Sequence, residues 1–485
     1  MDTKESTLEK LRSEYEADPH NLNKAIQLAQ HYCDLGWFNE AIDLYKQLSE
    51  DNPDNYSLIL EYGNTCYKKK DLKGAVNIYK KLTELNAERI EGWNNLGIVQ
   101  LQSGDLEEAK VSIEKVLEIE SDNSGALLNM GNYYSSKGDH DTAVTFFEQA
   151  VDARIDFPDA WFNLGNMHLV KDELDKAKTA FERALKYQRE FPSALKNLGF
   201  IYEKKGDFEL AEHYYSQASE LNKADAGARV NLGNIYLQQK KYDDARRCYL
   251  KAVRLAPNQT LGWMGLRHLS LIKGDLNTFM RATLAILPKL SDDLLANSIE
   301  IFYELNQLSK ADELLNQADR LGRGGNELDL QRLLIYHRKG IHQGKTVGIF
   351  KKLTSLPQKS ESIKKGLARY ALENGDFDSA IQYIRQMDTP DSAGYSILWR
   401  ALLAKKATDE AKASIQNYIK ENPDSFECWF LLARIEAESE NSAKAEKFLI
   451  RALENGFTNL EELSDCPELK KIFDTLAAKD HVIEN

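Results

Sequence analysis

Apolar residues recur along the chain at the three- and four-residue spacing of amphipathic helices, in pairs of short segments separated by turn residues. In a clear example, a first helix carries Trp93 and Leu96 on one face, and Gly104 and Asp105 follow as a turn. A second helix then presents its apolar face from Ala109 onward. The pattern predicts helix-turn-helix pairs, whose members we name helix A and helix B in chain order.

Alanine returns to the same place in helix B at a constant interval, at positions 41, 75, 109, 143, 177, 211 and 245. An interval of about 34 residues is the length of one helix-turn-helix repeat. A Leu-Gly pair follows the same period in helix A, as in Leu96-Gly97. The small residues Gly97 and Ala109 are expected to let the two helices of one repeat approach closely. A single repeat cannot bury its apolar faces alone, so the period predicts repeats stacked into a solenoid.

The pattern W-x-x-L-G, a Gly-Asp turn and A-x-x-x-F/Y-x-x-A resembles the tetratricopeptide repeat (TPR) family. The stretches that start at Trp93 and at Trp161 carry it best. The resemblance implies an all-α fold, a right-handed superhelical solenoid of about eleven or twelve TPR helix-turn-helix repeats. It also implies a concave surface lined by the A helices. Seven regular repeats are expected at residues 22–55, 56–89, 90–123, 124–157, 158–191, 192–225 and 226–259.

Beyond residue 259 the repeat pattern weakens, because Phe279 replaces the small alanine and residues 326–360 have no small residue at the helix B contact. A closing helix is expected after Asp465 and Glu468, which have the spacing of a helix N-cap. We therefore predict an N-terminal capping helix at 1–21, an N-terminal TPR array of seven regular repeats and one degenerate repeat at 22–293, degenerate TPR-like helices with a bend at 294–360, a C-terminal TPR array at 361–459 and a C-terminal capping helix at 460–485.

Composition and charge narrow the classes of partner. With 63 Lys and Arg against 76 Asp and Glu, the formal net charge is -13, so binding to nucleic acid or to an anionic membrane surface is disfavoured. The N-terminal stretch is polar and acidic, and no stretch approaches 18 consecutive apolar residues, so neither a signal peptide nor a membrane span is expected. Five widely spaced cysteines without a CxxC pair favour reduced thiols and a cytoplasmic location.

Asparagines form two rows along successive A helices, which we call the asparagine ladder. An Asn amide can accept a hydrogen bond from a backbone N–H and donate one to a backbone C=O, so such a row can hold an extended peptide. We predict a peptide-binding groove at these positions. The first row is Asn95, Asn129, Asn163, Asn197 and Asn231, and the second row is Asn64, Asn132, Asn166 and Asn234.

Two interpretations of the ladder stay open: it binds a peptide, or it is part of the repeat pattern and binds neighbouring helices. It resembles the ladder that lines the TPR superhelix of O-linked N-acetylglucosamine transferases. The resemblance covers only the superhelix, because residues 260–485 remain helical and are too short for a glycosyltransferase domain. Charges of both signs near the groove predict no strong charge preference; they are Glu61, Lys68, Asp159, Lys196, Glu203 and Lys204.

The sequence gives only weak support to other kinds of binding or catalytic site. The carboxylate clamp that chaperone adaptors use is disfavoured, because Lys196 is followed by Phe200 where the clamp needs Asn. The best match to a phosphate loop, residues 340–346, is one residue short and follows a helical stretch, so a turn in a degenerate repeat is favoured. The nine histidines contain no HExxH motif, and His168 takes the place of a core tyrosine. We expect no metal and no cofactor.

These observations predict a non-catalytic protein-protein interaction scaffold that binds extended segments of partner proteins in the groove of the superhelix. Two alternatives are a targeting or regulatory subunit of a separately encoded enzyme, and a TPR scaffold that self-associates. Neither the partner nor the pathway follows from the sequence, since similar arrays serve many processes.

Overall fold

The computed structural model describes residues 2–340, 343–458, 463 and 466–477. All regular secondary structure in this part of the chain is helical. The predicted all-α solenoid of helix pairs is confirmed. The chain divides into two compact units, unit 1 (Met1–Leu269) and unit 2 (Ser270–Asn485). Within the described residues, no helix is both long and apolar enough to span a membrane.

Unit 1 is built from one leading helix and successive A and B helices. The A helices begin at residues 22, 56, 90, 124, 158, 192, 226 and 260, the first residues of the expected repeats and of the degenerate one that follows. The helices are α1 (Asp2–Ala17), α2 (Leu22–Asp34), α3 (Phe38–Asp51), α4 (Tyr56–Lys68), α5 (Leu72–Leu85), α6 (Ile90–Ser103), α7 (Leu106–Ile119), α8 (Ser124–Ser136), α9 (His140–Ala153), α10 (Pro158–Val170), α11 (Leu174–Tyr187), α12 (Pro192–Lys204), α13 (Phe208–Leu221), α14 (Ala226–Gln238), α15 (Tyr242–Leu255) and α16 (Thr260–Ile272), which ends in unit 2.

Unit 2 continues the alternation with less regular spacing. Its helices are α17 (Leu276–Ile286), the 3-10 helix η1 (Leu287–Lys289), α18 (Asp292–Glu304), α19 (Leu308–Arg320), α20 (Asn326–Arg338), α21 (Gln343–Thr354), α22 (Glu361–Glu373), α23 (Phe377–Arg385), α24 (Ser392–Ala404), α25 (Thr408–Glu421), α26 (Phe426–Glu438), α27 (Ser442–Glu454) and α28 (Pro467–Ala477). The even-numbered helices from α18 to α26 are its A helices.

The expected ends of the chain are described in part. In α1, Leu8 is buried in a cluster with Ala25 and Leu28 of α2. Asp465, the predicted N-cap of the closing helix, lies outside the described residues, and α28 begins at Pro467. The domain boundaries at 293 and 360 and the bend in residues 294–360 stay predictions.

Glycine allows the close approach of helices A and B that the sequence predicts. A Cβ atom added to Gly97 would lie 2.9 Å from Ile113 Cγ1, and one added to Gly131 would lie 2.5 Å from Phe147 Cε1. Real Cβ atoms do not come so close to a buried side chain, so any larger residue at these positions requires the facing side chain to shift. Ala109 is fully buried on the facing helix.

The turn between helices A and B has one residue in the left-handed conformation, which recurs with the period of the repeat. Glycine provides it at Gly104, Gly138 and Gly206, as the Gly-Asp motif predicts. Elsewhere Lys70 and Lys240 adopt the same conformation, with φ of 67° and 61°. The backbone of the turn is therefore preserved even where its residue carries a side chain.

Tryptophan at the start of an A helix fixes the preceding loop. The indole N–H of each donates to the carbonyl oxygen six residues earlier, at 2.9 Å for Trp93, 2.8 Å for Trp161, 2.9 Å for Trp263 and 2.7 Å for Trp429. At the equivalent position Arg229 makes the same bond to the Lys223 carbonyl, at 3.1 Å. These side chains, expected to pack, also satisfy a loop carbonyl.

Candidate functional site

The predicted groove residues all lie on A helices of unit 1, from α4 to α14. We call the surface formed by the side chains of these six A helices the A face. Its asparagines are half-buried, except Asn129, which is buried. A half-buried amide still reaches solvent on one side, so it is accessible to a ligand.

Three pairs of ladder asparagines hydrogen-bond to each other across neighbouring A helices. The amide nitrogen of the first-row residue donates to the Oδ1 of a second-row residue in the preceding repeat, always at the same offset along the sequence. The donor–acceptor distances are 3.3 Å for Asn95–Asn64, 2.9 Å for Asn163–Asn132 and 2.8 Å for Asn197–Asn166. These three pairs therefore join neighbouring A helices.

The pairs are interrupted where the second row lacks asparagine. Ile98 and Phe200 occupy the second-row places of their repeats. Accordingly, Asn129 donates instead to Asn94 Oδ1, at 3.3 Å, and the Asn231 amide opposes the rise in pKa that burial and Glu203 cause at Tyr215. Where the second row lacks asparagine, the first-row residue therefore does not form the repeated Asn–Asn pair.

Tyrosines of the B helices also donate hydrogen bonds to the asparagine ladder, a contact that the sequence analysis did not predict. The Tyr79 hydroxyl donates to Asn64 Oδ1 at 2.8 Å, and the Tyr249 hydroxyl donates to Asn234 Oδ1 at 2.7 Å. Burial raises the pKa of both tyrosines, so they remain neutral donors. A signal was present in the sequence, because both tyrosines stand four residues after the periodic alanine.

Each asparagine pair leaves hydrogen-bonding capacity unused. An amide offers two N–H donors and one oxygen acceptor, and a pair such as Asn163–Asn132 uses one donor and one acceptor. Among the described residues, the pairs Asn163–Asn132 and Asn197–Asn166 make no further side-chain hydrogen bond. The remaining amide groups lie on half-buried side chains, so they can bind a peptide backbone or water.

Charged groups on the A face are of both signs, as the sequence predicts. Lys196 Nζ lies 3.1 Å from Oδ2 of Asp225, the N-cap residue of the next A helix. Burial opposes ionisation of Asp225, but the Ala228 backbone N–H and Lys196 outweigh it and lower the pKa of this carboxyl. Phe200 is 38% exposed, and Lys204 Nζ lies 5.5 Å from its ring centre. The surface therefore combines amides, a neutralised ion pair and one exposed aromatic ring.

The positions considered for catalysis or metals have structural contacts. His168 is 6% exposed, and its Nδ1 lies 2.7 Å from Glu173 Oε2. Gly340 follows α20 with φ of 63°, and Gln343 opens α21, so the phosphate-loop match falls at a turn between helices; Ile341 and His342 lie outside the described residues. In the described part of the chain, no group of three or more His, Cys, Asp or Glu side chains could hold a metal ion.

Fold and site together define a helical-repeat protein of the interaction-scaffold class. Family models described as tetratricopeptide repeat match residues 35–97, 90–123, 124–154 and 400–456, and the model of the tetratricopeptide repeat protein 21 C-terminal ARM domain matches residues 151–260. The chain is a tetratricopeptide-repeat protein.

Solved structures of similar fold include Pseudomonas aeruginosa PilF, with 19% identity, a TM-score of 0.40 and coverage of 43% of this chain and 94% of PilF. MamA is 24% identical, with a TM-score of 0.31, over 33% of this chain and 94% of MamA. YrrB, described as a TPR protein with an unusual peptide-binding site, is 20% identical, with a TM-score of 0.30, over 41% of this chain and 97% of YrrB. No curated protein matches the chain.

Proposed function

We propose that this protein is a non-catalytic scaffold that binds extended segments of partner proteins along the A face of unit 1. The observation that carries the proposal is the unused hydrogen-bonding capacity of the asparagine pairs Asn163–Asn132 and Asn197–Asn166. Because each pair already joins two helices, its amides are held in fixed positions before a ligand arrives. Preorganised groups lose less entropy on binding than mobile ones do.

Binding through the ladder alone is weak. Five amide hydrogen bonds of about 1 kcal/mol each give about 5 kcal/mol, which corresponds to nearly millimolar affinity. The exposed ring of Phe200, on α12, adds an apolar contact within the ladder, where the partner would place an apolar side chain. The proposal therefore favours a partner segment long enough to contact several A helices at once.

The proposed location is the cytoplasm, and the proposed ligand class is protein, with no cofactor. All five cysteines are free thiols, which supports a reducing compartment. The net charge of -13 argues against nucleic acid as the ligand. Because His168 hydrogen-bonds Glu173, the proposal gives this histidine a structural role.

The test removes two complete asparagine pairs and leaves no amide without its partner. The variant carries Asn132→Ala, Asn163→Ala, Asn166→Ala and Asn197→Ala. The matched control carries Asn39→Ala and Asn77→Ala, which are exposed asparagines on the B helices α3 and α5. Thermal unfolding followed by circular dichroism first establishes that both variants fold.

Wild type and both variants then capture proteins from a lysate of the source cells, and mass spectrometry quantifies them. Partners that are lost with the ladder variant and kept by the control are the expected result. Partners retained equally by all three proteins would contradict binding at the A face. A stoichiometric enzyme among the lost partners would identify a targeting subunit, and light scattering that depends on concentration would identify self-association.

A further inference from the structure

A cavity of about 410 Å³ lies among the A helices of unit 2. Three arginines and three glutamates of α18, α20, α22, α24 and α26 line it, together with Ser392 and Ser396. This volume is within the range of small-ligand sites, and its charged lining differs from the amide-rich A face of unit 1. The charged residues are Arg338, Arg369, Arg400, Glu304, Glu373 and Glu427.

Two of the arginines are fully engaged by the protein. Arg338 Nη2 lies 2.7 Å from Glu373 Oε1, and the Arg338 guanidinium lies 3.9 Å from the centre of the Tyr303 ring. Arg369, whose side chain is 13% exposed, forms an ion pair with Glu304. These two charges are neutralised and held in place, so they offer little to a ligand.

The third arginine has no such partner. Arg400 is exposed, and no hydrogen bond or ion pair to it occurs within residues 2–340, 343–458, 463 and 466–477. The carboxylate of Glu427, on the next A helix, accepts a hydrogen bond from Ser396 at 2.6 Å. The guanidinium of Arg400 therefore keeps all its donors for another molecule.

The spacing of the residues explains why Arg400 differs. The three arginines are evenly spaced along the sequence, at the same offset that joins the asparagine pairs of unit 1. Arg338 finds its carboxylate at the end of the next A helix, and Arg369 finds its carboxylate two A helices earlier. The positions that correspond to these two carboxylates, counted along the sequence from Arg400, are occupied by the buried isoleucines Ile435 and Ile335. Arg400 therefore has no counterpart of the carboxylates that engage Arg338 and Arg369.

We propose that Arg400 anchors a binding site in which the cavity takes a carboxylate group of a partner protein. A guanidinium binds a carboxylate through two parallel N–H···O bonds, and the Ser392 hydroxyl at the cavity wall adds a further donor. A dianion such as phosphate is more strongly disfavoured than a single carboxylate, because Glu304, Glu373 and Glu427 line the same cavity. This site is separate from the asparagine ladder and does not depend on it.

The carboxylate comes from an acidic side chain or from a chain terminus, and three synthetic peptides separate these sources. All are acetylated frames of seven residues, Gly-Ser-Gly-X-Gly-Ser-Gly. The first has glutamate at X and an amidated end, the second has glutamine and a free end, and the third has glutamine and an amidated end. Inorganic phosphate serves as the fourth ligand.

The full-length chain labelled with ¹⁵N-arginine reports binding through the side-chain Nε–H signal of Arg400, assigned from the spectrum of Arg400→Gln. We expect a saturable shift with at least one carboxylate peptide, and none with the neutral peptide. The signal of Arg320, an exposed arginine on the B helix α19, should stay in place. Whether the first or the second peptide binds more tightly names the source of the carboxylate.

Peptide-observed saturation-transfer NMR then compares variants. Arg400→Gln should weaken the carboxylate peptide about tenfold or more, as expected for a lost charged hydrogen bond, and Arg320→Gln should not change it. Arg400→Lys should fall between them, because it keeps the charge without the forked donors. Equal binding by Arg400→Gln and wild type, tighter binding of phosphate, or no saturable shift would each overturn the proposal. None of these results alters the test of the asparagine ladder.

Discussion

The residue in the left-handed conformation at each A–B turn affects the free energy of unfolding of this chain. Lys240 adopts φ of 61° between α14 and α15, where Gly206 and Gly274 stand in neighbouring repeats. A residue with a Cβ pays about 1–2 kcal/mol for this conformation, whereas glycine does not. We expect Lys240→Gly to raise the free energy of unfolding by about 1 kcal/mol. Urea unfolding followed by circular dichroism measures it.

The reverse change is the control for this prediction. Gly206→Ala introduces a Cβ at the equivalent turn, where no atom lies within 4 Å of it, so only backbone strain changes. It should lower the free energy of unfolding by about 1 kcal/mol. If both substitutions shift the urea midpoint in the same direction, turn strain does not explain the preference for glycine.

Close helix contacts produce a larger effect. A Cβ on Gly131 would lie 2.5 Å from Phe147 Cε1, and Phe147 is 1% exposed, so the ring cannot move aside freely. Gly131→Ala should lower the free energy of unfolding by about 1–3 kcal/mol, measured by urea unfolding. As a control, Gly348 in α21 has no atom within 4 Å of an added Cβ, and Gly348→Ala should stabilise by up to about 1 kcal/mol. A Gly131→Ala protein with the same free energy of unfolding as wild type would contradict the packing argument.

Residue periodicity identifies both asparagine rows but not their pairing. Each row repeats with the period of the alanines, whereas the hydrogen-bonded partners, such as Asn163 and Asn132, stand slightly closer in sequence than one full repeat. The difference arises because the acceptor of each pair is a second-row residue and the donor is a first-row residue of the next repeat. A period gives the repeat length, but it does not say which residues of neighbouring A helices come into contact. The sequence therefore could not predict that one hydrogen-bonding group of each paired amide is already used by a neighbouring A helix.

Element boundaries, in contrast, follow closely from local sequence. Some helices start where a side chain caps the first turn, as Asn123 does for α8 and Asp139 does for α9, and A helices such as α8 are followed by a left-handed turn residue, here Gly138. These signals recur with the period, so the starts of the A helices in unit 1 match the expected repeats. In unit 2 the arginines of the cavity were missed, because their spacing is shorter than the period of the repeat.

Lysines at several A–B turns of unit 1 join one repeat to the B helix of the preceding repeat, and this contact depends on pH. Lys171 Nζ lies 2.5 Å from Asp141 Oδ1, and Lys205 pairs with Asp175. The hydrogen bonds from these lysines lower the pKa of both aspartates. Their stabilising effect is therefore fully present above the ordinary aspartate pKa of about 4 and is lost as the pH falls through the lowered value.

We expect Lys171→Gln to raise the pKa of Asp141 toward its ordinary value, measured by ¹³C NMR of the carboxyl group during an acid titration. The matched control is Lys186→Gln in α11, since Lys186 has no acidic partner within the described residues. The shift should shrink at high salt, because the pair is at the surface. An unchanged Asp141 titration in Lys171→Gln would show that the ion pair does not form in solution.

At the scale of the whole molecule, a stacked array transmits strain only through neighbouring helices. Within unit 1, each helix packs chiefly on the helices next to it in the chain. Stability is then the sum of terms for single repeats and for contacts between neighbours, so local damage decays along the array. A globular domain with one shared core would instead respond as a unit.

Hydrogen exchange measured by mass spectrometry distinguishes these responses. Gly131→Ala should speed exchange most in α8 and α9, less in α6, α7, α10 and α11, and least in α2 and α3, because the strain starts at Phe147. Gly199→Ala, whose Cβ would lie 2.7 Å from Tyr215 Cδ1, should move the same profile to α12 and α13. Uniformly faster exchange across unit 1 for both variants would mean that its repeats unfold as a single cooperative body, and a partner bound at one end of the ladder would then stabilise every repeat equally.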